Sequence, residues 1–262
     1  WDDAKMSISE MNLKQRSLLF ANLAADAYGE EATVREVVAE HGFTDVEFYN
    51  RDGAQAFRFE NDTDVVIACR GTQPTEFNDL KADLKAFPVM AETISRVHRG
   101  FKAEVDELWP EVKKDTQTLK KLWFCGHSLG AAMATIMAAR CKDDPALADP
   151  VQLYTYGSPR VGWPKYIRSL KVEHIRWQNN NDIVTRVPLR IMNYRHHGKL
   201  HYIGSTGKIN ATGTSNWFKR TKDRWYGMWL GLKQGQVDNF SDHAMVGYIV
   251  HIKRWNVFYR EL

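Results

Sequence analysis

This chain is poor in everything that would staple, anchor or divide it. Its 262 residues include only three cysteines, Cys69, Cys125 and Cys141, set far apart. Cys69 and Cys125 fall in apolar, strand-like runs, so buried free thiols are expected rather than a disulfide. No Cys/His spacing suits zinc and no His-Glu-x-x-His occurs, so the sequence offers no metal site. No apolar stretch approaches the roughly 20 residues needed to cross a bilayer. Dense Lys/Arg blocks are missing too. A net charge of +4 and a pI near 8.8 give no argument for a nucleic-acid partner, though they tolerate an anionic lipid surface. Without a Pro/Ser/Gly-rich linker or an internal repeat, residues 1–262 read as one α/β domain, long enough to bury a core unaided. The opening Trp1-Asp2-Asp3-Ala4-Lys5 shows neither a signal-peptide pattern nor an initiator methionine. That leaves room for a processed upstream piece, and both secreted and cytoplasmic settings stay open.

What is present is an alternation of helical and strand patterns. Residues 10–28 carry apolar side chains at helical spacing up to Gly29, and a short helix is expected from Ala32 to about Glu40. Val46–Tyr49 and Ala56–Phe59 flank Asn50-Arg51-Asp52-Gly53, a hairpin signal. Asp64–Cys69 is a nearly continuous apolar run, as expected of a strand covered on both faces. A helix over 101–120, strands at 121–125, 152–156 and 172–177, a late edge strand at His201–Ile203 and a final helix from Ala244 to Arg254 complete the pattern. Strands alternating with helices predict a mainly parallel sheet with an antiparallel hairpin near the start.

The most informative stretch is Gly126-His127-Ser128-Leu129-Gly130. It matches Gly-x-Ser-x-Gly, the nucleophile elbow of α/β-hydrolases, and stands between an apolar strand and a helix rich in small residues. Such a turn exposes Ser128 and brings the backbone N–H of Leu129 beside it. A serine hydroxyl is a weak nucleophile until a histidine accepts its proton and a carboxylate orients that histidine. In this fold the order along the chain is serine, acid, base. Asp182, in the polar turn Asn179–Asp182 after a strand, is the preferred acid; it also reads as a plain turn residue, and Asp149 is a weaker rival. For the base, His41 and His98 come too early, His174 reads as half-buried within a strand, and His251 lies inside the last helix. His196, His197 and His201 remain open. His243 is preferred because Phe240–His243 forms a loop leading into the final helix. His127 is expected to be structural.

Further motifs in order resemble the class 3 lipase family. Arg70-Gly71-Thr72 is similar to its Arg-Gly-Thr/Ser strand end, and Val97–Phe101 to its Val-His-x-Gly-Phe segment. Tyr156–Gly162 is similar to its Tyr-Gly-x-Pro-Arg-Val-Gly signature, while Asn181–Val184 and Asp242-His243 stand where the family keeps acid and base. The resemblance spans roughly residues 60–250. It implies an α/β-hydrolase fold and a serine esterase acting on acylglycerols through Ser128, Asp182 and His243. It further implies an oxyanion hole at Thr72 and Leu129, with no metal or organic cofactor.

Two amphipathic stretches bear on the substrate. Within 73–88, Phe77, Leu80, Leu84 and Phe87 share one helical stripe; the resemblance makes this segment a lid, with an ordinary surface helix as the alternative. The insertion 205–240 carries Trp217, Phe218, Trp225, Met228, Trp229 and Leu232 on one arc, suiting a lipid–water boundary, an acyl-groove flap or a docking face. Trp225 and Trp229 are its candidate acyl contacts. The expectation is a triacylglycerol lipase acting peripherally at a lipid–water interface. Phospholipase A1, a short-chain or feruloyl-type esterase and, in another class, a non-catalytic lipid-binding protein are the alternatives.

Overall fold

The computed structural model describes residues 7–71, 88–210 and 243–258. The expected lid, Thr72 and the tryptophans of the insertion lie outside these residues.

Eight strands form one sheet in the order β1-β2-β3-β6-β7-β8-β9-β10. They are β1 (Asp45–Arg51), β2 (Ala54–Glu60), β3 (Asp64–Cys69), β6 (Lys121–His127), β7 (Pro150–Tyr156), β8 (His174–Asn179), β9 (Lys199–Ile203) and β10 (Ile209–Asn210). Strands β4 (Pro88–Met90) and β5 (Arg96–His98) make a separate hairpin. From β3 through β9 the pairing is parallel, while β1, β2 and β10 run antiparallel to their neighbours. The first hairpin turns where expected, with Asp52 and Gly53 both at positive φ (47° and 88°), the pair of left-handed residues that a two-residue turn requires.

The apolar strands are buried on both faces because helices cover each side. Alternate residues divide between two cores. Val65, Ile67, Leu122 and Phe124 pack with α3 (Arg99–Asp115) and α4 (Leu129–Asp143). Val66, Ala68, Trp123 and Cys125 pack with α1 (Leu13–Asp26) and α6 (Met245–Phe258). Two short helices, α2 (Glu31–Glu40) and α5 (Pro164–Ser169), complete the set among the described residues. All three cysteines are buried and free.

Three expectations need correction. The helix over 101–120 ends at Asp115, where Thr116 Oγ1 donates to the carbonyl of Lys113. His201–Ile203 is not an edge: the Gly204–Lys208 turn, with Gly207 at φ 76°, returns the chain so that β10 pairs outside β9. His174 opens β8 and is fully rather than half buried.

Candidate active site

The parallel strands deliver their ends to one edge of the sheet. Ser128 follows β6 directly and initiates α4 with φ 58° and ψ −127°, a left-handed conformation costly for a side chain. Gly126 and Gly130 make this turn possible by close approach. A Cβ on Gly126 would overlap the carbonyl of Gly130, and one on Gly130 would strike the backbone of Cys69 and Arg70. The Ser128 N–H donates to the Tyr156 carbonyl at 3.1 Å, tying the elbow to the end of β7. Leu129 begins the helix, so its N–H belongs to the first turn, where amides have no partner within the helix.

Asp182 and His243 come together from elements 61 residues apart. Asp182 lies just past β8, wholly buried, in a turn held by its own N–H to the Asn179 carbonyl and by Thr185 Oγ1 donating to its carbonyl. His243 Nδ1 stands 3.0 and 2.9 Å from the two carboxylate oxygens. An ionised carboxylate only accepts, so Nδ1 carries the proton and Nε2 presents a lone pair. Two further donors fix the carboxylate: the Val184 N–H to Oδ1 at 2.9 Å and the Tyr248 hydroxyl to Oδ2 at 2.6 Å. The Tyr248 oxygen itself accepts from the Asn179 N–H. Gly157, at φ 59°, leaves room for the pair, since a Cβ there would sit 2.7 Å from Asp182 Oδ2 and 2.8 Å from the His243 ring.

Serine and histidine meet through His127. Its ring stacks on that of His243 with centroids 4.4 Å apart, and its Nε2 lies 2.7 Å from the His243 carbonyl. A carbonyl only accepts, so Nε2 holds the hydrogen; Nδ1 then accepts from the Tyr28 hydroxyl at 2.9 Å. Burial, with the His243 ring beside it, holds the His127 pKa well below the usual imidazole range and keeps it neutral. Ser128 Oγ is buried without a hydrogen-bond partner among the described residues. The direct Ser128–His243 hydrogen bond of a formed triad is therefore absent from this arrangement.

The rival residues lie elsewhere. His197 pairs with His174 at 3.0 Å, His196 donates to the Thr185 carbonyl, His201 lies by the Lys199 carbonyl, and Asp149 is held by Lys142 at the surface. His98 stacks on Phe101. His251 is half-buried on α6, beside Gly207. Tyr28, Tyr248 and the His127–His243 contact escaped the sequence reading. Strand alternation carried the signal for His127: Trp123 and Cys125 face α1 and α6, so the residue two further on faces them too.

Comparison with known proteins agrees with this architecture. The family model described as Lipase (class 3) matches residues 66–192. Toxin TseL of Vibrio cholerae is 29% identical over 232 residues, covering 71% of this chain and 35% of that protein. A secreted mono- and diacylglycerol lipase of Fusarium solani is 35% identical over 109 residues, covering 38% and 32%. The chain thus matches about a third of the length of these relatives. A solved mutant form of MDLA from Penicillium cyclopium superposes with a TM-score of 0.66 at 20% identity, over 92% of this chain and 99% of that one. The fold is that of the α/β-hydrolases, and over residues 66–192 the chain matches the class 3 lipase family.

Proposed function

We propose that the chain is a serine carboxylic ester hydrolase acting on acylglycerols at a lipid–water interface. The observation that carries this reading is the buried Asp182–His243 pair, stacked on the histidine that immediately precedes Ser128. Ser128 attacks the ester carbonyl while His243 Nε2 takes its proton, and His243 then returns that proton to the departing alcohol. Asp182 stabilises the imidazolium. The Leu129 N–H, with Thr72 as the second donor, holds the oxyanion; losing one such donor typically costs about 2.7–4 kcal/mol of transition-state stabilisation. Water activated by His243 releases the fatty acid. Every atom in the cycle comes from ester, water and side chains, so the scheme calls for no cofactor.

Within this class we read one catalytic domain over 1–262, with 73–88 as a lid and 205–240 as an amphipathic insertion. Phe77, Leu80, Leu84, Phe87, Trp225 and Trp229 would meet the acyl chain. Triacylglycerol is the favoured substrate because two apolar stretches suit long chains. Relatives named mono- and diacylglycerol lipases, and a phospholipase A(1) of Arabidopsis thaliana, keep partial glycerides and phospholipids as the alternatives. Hydrolysis of p-nitrophenyl esters of graded chain length, beside emulsified tri-, di- and monoacylglycerols and phosphatidylcholine, tests the reading. Activity should vanish in Ser128→Ala. Activity that persists there moves the nucleophile elsewhere, and a wild type inert on every ester supports a lipid-binding role.

A further inference from the structure

Seven residues beyond Asp182 the chain forms a tight turn that displays apolar side chains. Leu189 is 53% exposed, Ile191 90% and Met192 43%. Loops that expose such groups are often loosely held, but this one is tied down. The Arg160 N–H donates to the Val187 carbonyl at 2.8 Å, and its guanidinium donates to the carbonyls of Arg186 and Pro188. Met192 N–H bonds the Leu189 carbonyl, and Arg195 Nη1 the Arg190 carbonyl at 2.9 Å. Asn193, at φ 65°, closes the turn. The turn is ordered, yet Ile191 gains almost no burial against the body of the protein and Leu189 and Met192 only about half of theirs.

The charge around this turn is one-sided. From Ile183 to Asn210 the sequence contains Arg186, Arg190, Arg195, Lys199 and Lys208 and no Asp or Glu. The elements packed against it add Arg160 and, through the Gly162 bridge to β5, Arg96. Arg190 is exposed and forms no ion pair with a carboxylate among the described residues. The turn follows the C-terminal end of β8, the same sheet edge at which Ser128 follows β6.

We propose that Leu189–Met192 is an anchor for an anionic lipid surface, its apolar side chains entering the acyl boundary while Arg190 meets acidic headgroups. Exposed apolar groups beside the exposed Arg190, in a stretch without Asp or Glu, suit that occupant better than a neutral protein face. The proposal deepens the acylglycerol reading and rests on it, because an anchor at this edge holds the serine against the interface.

The test measures sedimentation with vesicles in a Ser128→Ala background, so that binding is read without catalysis. Vesicles of phosphatidylcholine alone are compared with vesicles that also contain phosphatidylglycerol. The parent should prefer the anionic vesicles, and added salt should erase the preference. Leu189→Ser with Ile191→Ser should weaken binding to both by roughly tenfold or more. Arg190→Gln should weaken only the anionic case, by about fivefold. Unchanged thermal unfolding of these surface variants shows that they are folded. Equal binding by parent and variants, or a parent indifferent to phosphatidylglycerol, overturns the anchor. So does self-association that the variants abolish without any vesicle binding, which makes a second copy the occupant. If vesicles bind as expected but the unaltered protein hydrolyses no ester, the anchor stands and the catalytic reading falls.

Discussion

Replacing His127 by phenylalanine isolates the contact that joins elbow to base. Phenylalanine keeps a ring to stack on His243 but removes the Nε2–H that bonds the His243 carbonyl and the Nδ1 that receives the Tyr28 hydroxyl. The buried carbonyl is left unsatisfied, at a cost of about 1–3 kcal/mol of stability. The larger effect falls on geometry. The lost bond held the backbone of the base itself, and a displacement near 1 Å in a reacting group costs about a hundredfold in rate. The expected result on a soluble ester is a fall in kcat of about ten- to a hundredfold with KM little changed. His127→Gln, which can still offer an N–H to the carbonyl, should recover part of it. A double-mutant cycle with Tyr28→Phe gives a second readout: that change should matter in the His127 protein and have little effect in His127→Phe. A folded His127→Phe enzyme with kcat within about twofold of the parent would refute the positioning argument.

Other perturbations test the site from different sides. Ser128→Gly should abolish hydrolysis yet raise thermal stability by about 1 kcal/mol, because glycine relieves the strain at φ 58°; an unchanged or lower melting temperature would deny the strain. Gly157→Ala inserts a methyl 2.7 Å from Asp182 Oδ2 and should cut kcat by at least roughly tenfold, a loss that activity assays on folded protein would detect. Burial lowers the His98 pKa to about 4. The unfolded chain therefore binds that proton first, and stability present above pH 6.5 is lost as the pH falls towards 4, by about 3 kcal/mol in all. Urea unfolding of His98→Phe should show a shallower loss between pH 7 and 4, and identical slopes would remove His98 from the account.

The parts of the site that the sequence made legible are those written locally. The elbow announces itself because glycines, serine and flanking patterns lie within one short run. Chain order singles out Asp182, and the place before the final helix singles out His243. The remaining contacts of the site have no such local signal. Tyr28, which holds His127, comes from the turn after α1, 99 positions before it, and Tyr248 reaches Asp182 across 66. A lone tyrosine on or beside a helix has no local signature, since its hydroxyl acquires meaning only after the helix docks. The edge strand was missed for a similar reason: β10 has two residues, too few for a period, and exists because Gly207 reverses the chain. His174 was misjudged because its burial depends on a partner, His197, 23 residues later.

Helix α6 gathers these long-range dependencies into one body. His243 stands just before its first turn and Tyr248 five residues on, so a single docking event brings both the His243 ring and the Tyr248 hydroxyl to Asp182. What holds the helix lies at its other end. Asn256 Nδ2 donates to the Lys14 carbonyl at 2.9 Å, the Lys14 ammonium lies 5.3 Å from the Trp255 ring, and Trp255 meets Trp177 of β8 edge-on. Tyr156 of β7 closes the arrangement, its hydroxyl donating to the Ser17 carbonyl on α1 while its ring meets Tyr248 edge-on. The orientation of His243 is thus coupled to the packing of α1, α6 and two central strands. Loosening any of them moves His243 relative to the rigid elbow, because Ser128 is fixed by β6, β7 and α4 and cannot follow.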